Sequence, residues 1–300
     1  MAHLNRRLSG NAAGDFFVDS SCIDCDICRQ LAPETFRAQA AQTVVYHQPT
    51  TPESVHRASM ALVACPTGSI GTVRKHPMKA AIAAFPEEIA DGVYFSGFAS
   101  RHSYGATSYF LVRPGGNVLV DSPRFSQPLA KRLEEMGGVR WMVLTHSDDV
   151  ADHELFQQRF GCQRVIHGAD ASGRLRGVER IISGNEPVLL DDDLTLIPVP
   201  GHTRGHVCLL YQDRFLFTGD HLAWDEDESM LIAFRDYCWY SWPEQIRSME
   251  KLLKYRFEWV LPGHGRRYRA VSCEEMEKEL RACIMWMREQ PSSSLYTAQR

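Results

Sequence analysis

The chain has 300 residues with a formal net charge of −4, and hydrophobic residues make up 44% of it. This length holds one small domain and a second domain of average size or larger. The balanced charge gives no sign of a nucleic-acid partner or an anionic membrane surface, and no apolar run approaches the roughly 18 residues of a membrane-spanning helix.

The N-terminal segment MAHLNRRLSGNAAG has two arginines but lacks the apolar core of a secretory signal. Five scattered cysteines are odd in number and indicate ordinary reduced thiols rather than a disulfide framework: Cys162, Cys208, Cys238, Cys273 and Cys283. We therefore expect a reducing compartment, either the cytoplasm or an organelle stroma.

Four other cysteines form a pattern in CIDCDICRQLAP and the later ACPTG: Cys22, Cys25, Cys28 and Cys65. Three thiolates spaced by two residues can hold three corners of a cubane, and a distant Cys-Pro closes the fourth. Ala32-Pro33 stands where a two-cluster chain would carry a further Cys-Pro, so one [4Fe-4S] cluster is expected. Zinc and a pair of disulfides are the alternatives, but zinc usually takes its ligands as two separated pairs.

This cysteine run resembles a single-cluster bacterial-type ferredoxin domain over roughly residues 15–73. A boundary is expected between Gly71 and Pro77, where the cysteine-rich module ends. The predicted domains are therefore 12–75, a small α+β ferredoxin-like domain, and 76–300.

The second domain alternates strand-like runs with amphipathic helices. Strands are predicted at GVYFSGF, in a hairpin around Pro114–Gly116, and at WMVLTH, RVIHG, DLTLIPVP, VCLLYQDRFLFTGD and EWVLPGHG. Helices are predicted over 126–136, 151–160, 243–255 and 273–289. Strands in meander order joined to helices favour an α/β sandwich with helices on its outer faces.

Groups rich in histidine and aspartate follow these strands, at THSDDVADH (145–153), PGHTRGH (200–206), FTGD (217–220) and LPGHG (261–265). In this order and spacing they resemble the metallo-β-lactamase superfamily over roughly residues 78–269. The resemblance implies an αββα sandwich with one or two divalent metals at the strand ends. It places His146 and His202 on a first ion, Asp152, His153 and His264 on a second, and Asp220 between them. Asp121 matches an aspartate with a structural part beneath the site.

One position departs from the family pattern H-x-H-x-D-H. Asp148 stands where the second histidine is expected, and two extra residues precede Asp152. Either Asp148 or Asp149 replaces the histidine as a ligand, or the first ion is held weakly, or only one ion binds. We favour Asp148, because alternate residues at an extended strand end point to the same side. A carboxylate here recurs in the di-iron, flavodiiron-like branch, and hard oxygen donors shift the preference from zinc toward iron or manganese.

Other polar and aromatic groups have simpler interpretations. His167 is expected to be a hydrogen-bonded structural residue, and His206 and His221 to support the ligands or lie on the surface. The acidic stretch 224–229 is expected to be a solvated loop, and the aromatic run YCWYSW (237–242) mainly core or helix entry, with a pocket wall as the alternative.

These features predict an enzyme, a metal-dependent hydrolase of a small-molecule substrate in which Asp152 orients the attacking water as well as binding metal. The fused cluster would then serve as an electron-transfer, sensing or docking module, with a redox partner protein. Two alternatives use the cluster directly: a ferredoxin-fed di-iron oxidoreductase, and a redox-responsive binding protein. A hydrolase predicts activity that survives a change in cluster oxidation state.

Overall fold

The computed structural model describes residues 2–290, and Met1 and residues 291–300 at the end of the predicted second domain lie outside the described chain. The chain divides into two compact units, Met1–Arg140 with Val150–Cys162, and Trp141–Asp149 with Gln163–Arg300. The first unit contains the cysteine-rich module together with chain beyond residue 76. The predicted division at 75/76 stays a prediction.

The first unit holds eight strands and five α-helices in its described part. Its strands are β1 (Phe16–Val18), β2 (Phe36–Gln39), β3 (Gln42–Val45), β4 (Ile70–Thr72), β5 (Glu87–Ala90), β6 (Val93–Phe95), β7 (Tyr109–Leu111) and β8 (Val118–Val120). Its helices are α1 (Ile27–Leu31), α2 (Pro52–Ala64), α3 (Lys79–Ala83), α4 (Gln127–Glu135) and α5 (His153–Phe160).

Two small antiparallel pairs, β1 with β4 and β2 with β3, frame the cysteine-rich module. Helix α2 begins with a reciprocal capping box between Thr51 and Ser54, and its C-cap residue is Cys65. Strands β5 to β8 form an antiparallel meander, and the predicted hairpin around Pro114–Gly116 is the β7–β8 pair.

The second unit contributes the strands after β8 and the last two α-helices of the described chain. Its strands are β9 (Trp141–Val143), β10 (Gln163–His167), β11 (Arg180–Ile182), β12 (Val188–Asp191), β13 (Leu194–Pro198), β14 (Val207–Tyr211), β15 (Phe215–Gly219), β16 (Ala223–Asp225), β17 (Met230–Ile232), β18 (Trp259–Pro262) and β19 (Tyr268–Arg269). Its helices are α6 (Trp242–Leu252) and α7 (Cys273–Glu289).

Strand directions in this unit bring several carboxyl ends to the same edge. Strands β9, β10 and β11 are parallel, and a six-stranded sheet has the order β12-β13-β14-β15-β18-β19. All neighbours in that sheet are antiparallel except β15 and β18, which run parallel. The loops after β15 and β18 therefore leave the sheet side by side, as required for a site built from both.

Helices α6 and α7 supply the core of the second unit. They share one apolar cluster with the six-stranded sheet, which includes Leu210, Val260, Met249 and Leu280. The indole nitrogen of Trp242 donates to the Met287 carbonyl at 3.1 Å and joins the two helices. This buried layer gives the strand ends a rigid base.

An ion pair ties β10 to the start of β11. Arg164, only 7% exposed, donates from Nε to Glu179 Oε2 at 3.0 Å and from Nη2 to Oε1 at 2.8 Å. Although burial opposes it, these hydrogen bonds lower the pKa of Glu179 from its usual 4.5. The ionised carboxylate therefore makes its full contribution to the stability of the fold above pH 4.5. This contribution is lost as the pH falls through the lowered pKa that Glu179 has in the folded state.

Replacing Glu179 with glutamine is expected to reduce the free energy of unfolding by about 2–3 kcal/mol, because the buried Arg164 loses its counter-charge. In urea unfolding, the difference in the free energy of unfolding between the variant and the wild type should be constant between pH 6 and pH 9. This difference should become smaller below pH 4.5. The exposed Glu228→Gln is the matched control. Equal stability of both variants at pH 7 would contradict the structural role of this pair.

Candidate metal centres

Four thiols line one pocket in the first unit. Cys22, Cys25, Cys28 and Cys65 face it together with apolar side chains such as Ile27. Backbone N–H groups point at two of the sulfurs, from Thr43 to Cys22 Sγ at 3.4 Å and from Ser69 to Cys65 Sγ at 3.3 Å. None of the nine cysteines, all within the described residues, forms a disulfide.

The chemistry of these thiols fits an iron–sulfur cluster. Burial raises the pKa of Cys25 to about 12 and also raises that of Cys28, and the neighbouring cysteines reinforce both shifts. Without a compensating positive charge these groups would stay protonated. Iron ions supply that charge, and N–H donors to sulfur are a usual feature of such centres.

A second group of ligand-type side chains lies in the second unit, at the strand ends. His146 follows β9, His202 lies beyond β13, Asp220 directly follows β15, and His264 comes after β18. The Gly263 N–H donates to the Gly219 carbonyl at 2.8 Å, which brings the segment before His264 against Asp220. In the loop from 199 to 206, Val199 N–H donates to His206 O and Gly201 N–H to Thr203 O, so that His202 is 1% exposed.

The donor atoms converge on the carboxylate of Asp220. Its Oδ2 lies 3.6 Å from His146 Nε2, 3.7 Å from His202 Nε2 and 3.9 Å from His264 Nε2. Two ligands of a single tetrahedral zinc ion lie about 3.3 Å apart, so these spacings suit shared coordination.

Both aspartates after His146 belong to this group. His202 Nε2 is 3.5 Å from Asp148 Oδ2, and Asp149 lies 4.0 Å from His146 Nε2 through Oδ2 and 3.9 Å from His264 Nε2 through Oδ1. Two sets, His146–Asp148–His202 and His146–Asp149–Asp220, each have one ligand atom per residue within 4.8 Å of the others. From the sequence, either Asp148 or Asp149 was expected to replace the histidine as a ligand, whereas the structure brings both carboxylates to the site.

The protonation states of His146 and Asp148, and the lack of a hydrogen bond at one imidazole nitrogen, fit a bound cation. His146 Nδ1 is hydrogen-bonded to Thr145 Oγ1 at 3.0 Å, while its buried Nε2 has no hydrogen-bond partner among residues 2–290. Burial lowers the pKa of His146 to about 4, so the imidazole is neutral at pH 7, as a metal ligand must be. The hydrogen bond with His202 lowers the pKa of Asp148 to about 2 and keeps it ionised.

Asp220 is also ionised. Although burial opposes it, the nearby His264, His146 and His202 lower the pKa of its carboxyl group. The Asp220 N–H donates to His206 Nε2 at 3.2 Å, and the His206 ring stacks on His146 with centroids 4.8 Å apart. His206 and His221 are fully buried, so their expected supporting place is beneath the ligands and not on the surface.

Three other residues named for the site, Asp152, His153 and Asp121, lie in the first unit. Asp152 accepts a hydrogen bond from Phe125 N–H at 2.8 Å, and His153 is the buried first residue of α5. Asp121 is 3% exposed with φ of +56°. The assignment of Asp152 and His153 to a second ion, and of Asp152 to catalysis, stays a prediction. His167 has both ring nitrogens engaged, with Gly184 O and Ala169 N, in agreement with a structural residue.

Two contributors to the site escaped the sequence analysis. Asp170, 6% exposed, accepts from Ser147 N at 3.2 Å, Thr203 Oγ1 at 2.6 Å and Gly205 N at 2.7 Å. It therefore joins the loop of His146 to the loop of His202. Its position three residues after β10, which is parallel to β9, is a signal that could have found it.

Gly263 is the other contributor. A Cβ atom there would lie 2.8 Å from both Asp149 Oδ2 and Asp220 Oδ1. These distances are shorter than real Cβ contacts, so a side chain at position 263 would have to displace the carboxylates of Asp149 and Asp220.

Replacing Asp170 with asparagine is expected to weaken metal binding about 10- to 100-fold, because an amide cannot accept all three hydrogen bonds that order the two ligand loops. Competition with a chromophoric chelator measures this affinity. Asp213→Asn, in the exposed turn between β14 and β15, is the matched control. An unchanged affinity in Asp170→Asn would show that the loops hold their shape without this carboxylate.

Comparison with known proteins gives two family matches on this chain. Residues 18–72 match the family described as the 4Fe-4S single cluster domain of ferredoxin I, and residues 89–267, more than half of the chain, match the metallo-beta-lactamase superfamily.

Curated relatives include a hydroxyacylglutathione hydrolase of Rhizobium meliloti, 31% identical over 36% of this chain and 43% of its own length. One of Shewanella halifaxensis is 38% identical over 42% of this chain and 45% of its own length. The chain thus spans less than half the length of these relatives.

Among solved structures, a metallo-beta-lactamase from Pontibacter korlensis covers 68% of this chain and 98% of its own, at 17% identity and a TM-score of 0.51. One from Hirschia baltica covers 66% and 95%, at 15% identity and a TM-score of 0.50. These likenesses confirm the predicted αββα fold class. No helix within residues 2–290 combines the length and apolarity needed to cross a bilayer.

Proposed function

The chain belongs to the metallo-β-lactamase superfamily, and we propose that it is a metal-dependent hydrolase of a small-molecule acyl thioester. The observation that carries this proposal is the convergence of three imidazoles and three carboxylates at one edge of the second unit. They are His146, Asp148, Asp149, His202, Asp220 and His264. The names of the hydroxyacylglutathione hydrolases favour the thioester class.

A divalent zinc or iron ion, when bound, supplies a Lewis acid and lowers the pKa of a coordinated water. Everything else in the mechanism comes from the chain itself. His146 presents Nε2 because Thr145 holds its Nδ1, and Asp220 presents its carboxylate to three imidazoles at once. Buried and ordered by their neighbours, these groups need little rearrangement on binding substrate.

Asp152 remains the proposed group that orients the attacking water and holds its proton. Hydrolysis adds water across the acyl C–S bond and releases a carboxylic acid and a thiol, with no net electron transfer. The cluster is therefore proposed to serve as a sensing, docking or electron-transfer module, and a redox partner protein belongs to this proposal. The comparisons give no support to the di-iron oxidoreductase alternative.

The test uses protein purified without oxygen and loaded with zinc or iron. A panel of acyl thioesters, including S-lactoylglutathione, is assayed by release of the free thiol, with the cluster reduced and then oxidised. The proposal predicts metal-dependent turnover in both oxidation states. Absence of thioester hydrolysis with either metal, in protein shown to carry both centres, would refute it.

A further inference from the structure

A segment rich in exposed aromatic side chains lies beside the metal-ligand loop of the second unit. Tyr237 is 60% exposed, Trp239 55% and Tyr240 48%. Residues 237–242 were expected mainly as core or helix entry. Ser241 and Trp242 do begin helix α6, and Trp242 is buried, but the other three aromatic residues of the run are exposed. Three large aromatic side chains so close in sequence and open to solvent indicate a binding surface.

This aromatic segment, residues 237–240, is fixed to the backbone of a ligand. Trp239 N–H and Tyr240 N–H both donate to the His202 carbonyl, at 2.9 and 3.1 Å. Cys238 Sγ donates to the Gly201 carbonyl at 3.2 Å. The position of the segment relative to His202 is therefore set by direct hydrogen bonds.

Contacts between aromatic rings connect His202 to the aromatic segment. The centroid of Trp239 lies 6.3 Å from that of His202, and Tyr237 packs edge-on against Trp239 at 5.9 Å and 86°. Trp239 is more than half exposed, so part of its apolar ring system is open to a bound molecule. A group that packs on Trp239 contacts a ring whose centroid is 6.3 Å from that of His202.

We propose that Tyr237, Trp239 and Tyr240 form an acyl subsite that takes the aromatic or extended apolar acyl portion of the substrate. This inference rests on the proposed function for the position of the reacting carbonyl. Residues 237–240 include no carboxylate and no basic side chain, so the subsite favours an uncharged acyl group over a dicarboxylic one. It also gives a preference for phenylacetyl over acetyl thioesters of the same thiol.

The test compares these two thioesters in the loaded holoenzyme. Trp239→Ala should lower kcat/KM for the phenylacetyl thioester about tenfold, mainly through KM, and change the acetyl value less than about twofold. Trp239→Phe should restore most of the loss because it keeps an aromatic face. Tyr104→Ala is the control, since Tyr104 is a 71% exposed aromatic residue of the first unit.

A binding measurement separates this inference from the proposed function. The phenethyl thioether of the same thiol, which cannot be hydrolysed, is titrated into the wild type and Trp239→Ala. Binding that depends on Trp239, in a protein that hydrolyses no thioester, would support the subsite and refute the hydrolase. An unchanged phenylacetyl-to-acetyl ratio of kcat/KM in Trp239→Ala would overturn the subsite. If the oligomeric state of that variant also changed, the segment would be assigned to a protein interface.

Discussion

Replacing Asp220 with asparagine is expected to abolish tight metal binding and to lower kcat/KM by at least about 10³-fold, or roughly 4 kcal/mol of transition-state stabilisation. The carboxylate is the common neighbour of His146, His202 and His264, at 3.6 to 3.9 Å. An amide of the same shape keeps the backbone N–H bond to His206 but removes the negative charge. The ligand set then loses both its central oxygen donor and its main charge balance.

Two measurements check this prediction. Metal content per chain gives the loss of binding directly, and the rise in Tm on adding metal, which reports binding to the folded state, should disappear. Without metal the variant should be somewhat less stable than the wild type, because the lowered pKa of Asp220 means that its surroundings favour the ionised carboxylate. Asp213→Asn should behave as the wild type in both assays. Full metal occupancy in Asp220→Asn would show that the Asp220 carboxylate is not needed to bind the metal.

Replacing Cys25 with serine is expected to eliminate the iron–sulfur cluster. A ferredoxin-type [4Fe-4S] cluster takes one thiolate at each iron, and the pocket of Cys22, Cys25, Cys28 and Cys65 supplies these four thiols. Iron content should fall by about four atoms per chain in a zinc-loaded protein, and the visible absorption and the EPR signal of the reduced cluster should vanish. If the cluster takes no part in the chemical step, thioester hydrolysis per bound zinc stays within about twofold.

Cys273→Ser provides the control, since Cys273 is the first residue of α7 in the second unit. It should keep the cluster, the bound zinc and the activity. Loss of hydrolysis in Cys25→Ser, with zinc content intact, would revive the interpretation in which electrons from the cluster enter the reaction. Retention of the EPR signal would instead show that this thiol is not a ligand.

The histidines of the candidate site were accessible from the sequence because each follows a strand within four residues. His146, His202, Asp220 and His264 come after β9, β13, β15 and β18, and the parallel pairing of β15 with β18 brings the last two together. Helix positions were similarly accessible where a serine caps the first turn. Helix α7 was predicted residue for residue after Ser272, and α4 within one residue at each end after Ser126.

The features that escaped prediction depend on how loops fold. Asp149 enters the site alongside Asp148 only because the turn after His146 departs from an extended strand, for which alternation favoured Asp148 alone. Asp170 acts through three hydrogen bonds to loops that are distant in sequence. The exposure of the aromatic segment was not predicted, because apolar composition alone does not distinguish a buried aromatic ring from an exposed one.

The close approach at Gly263 has a consequence for recognising related metal centres. A residue without a metal-ligand atom should tolerate substitution as poorly as the histidine that follows it, since any side chain would collide with Asp149 and Asp220. In a saturation mutagenesis screen we expect codon 263 to accept glycine alone. A search pattern for this type of centre should therefore give the glycine before His264 the same weight as the imidazoles.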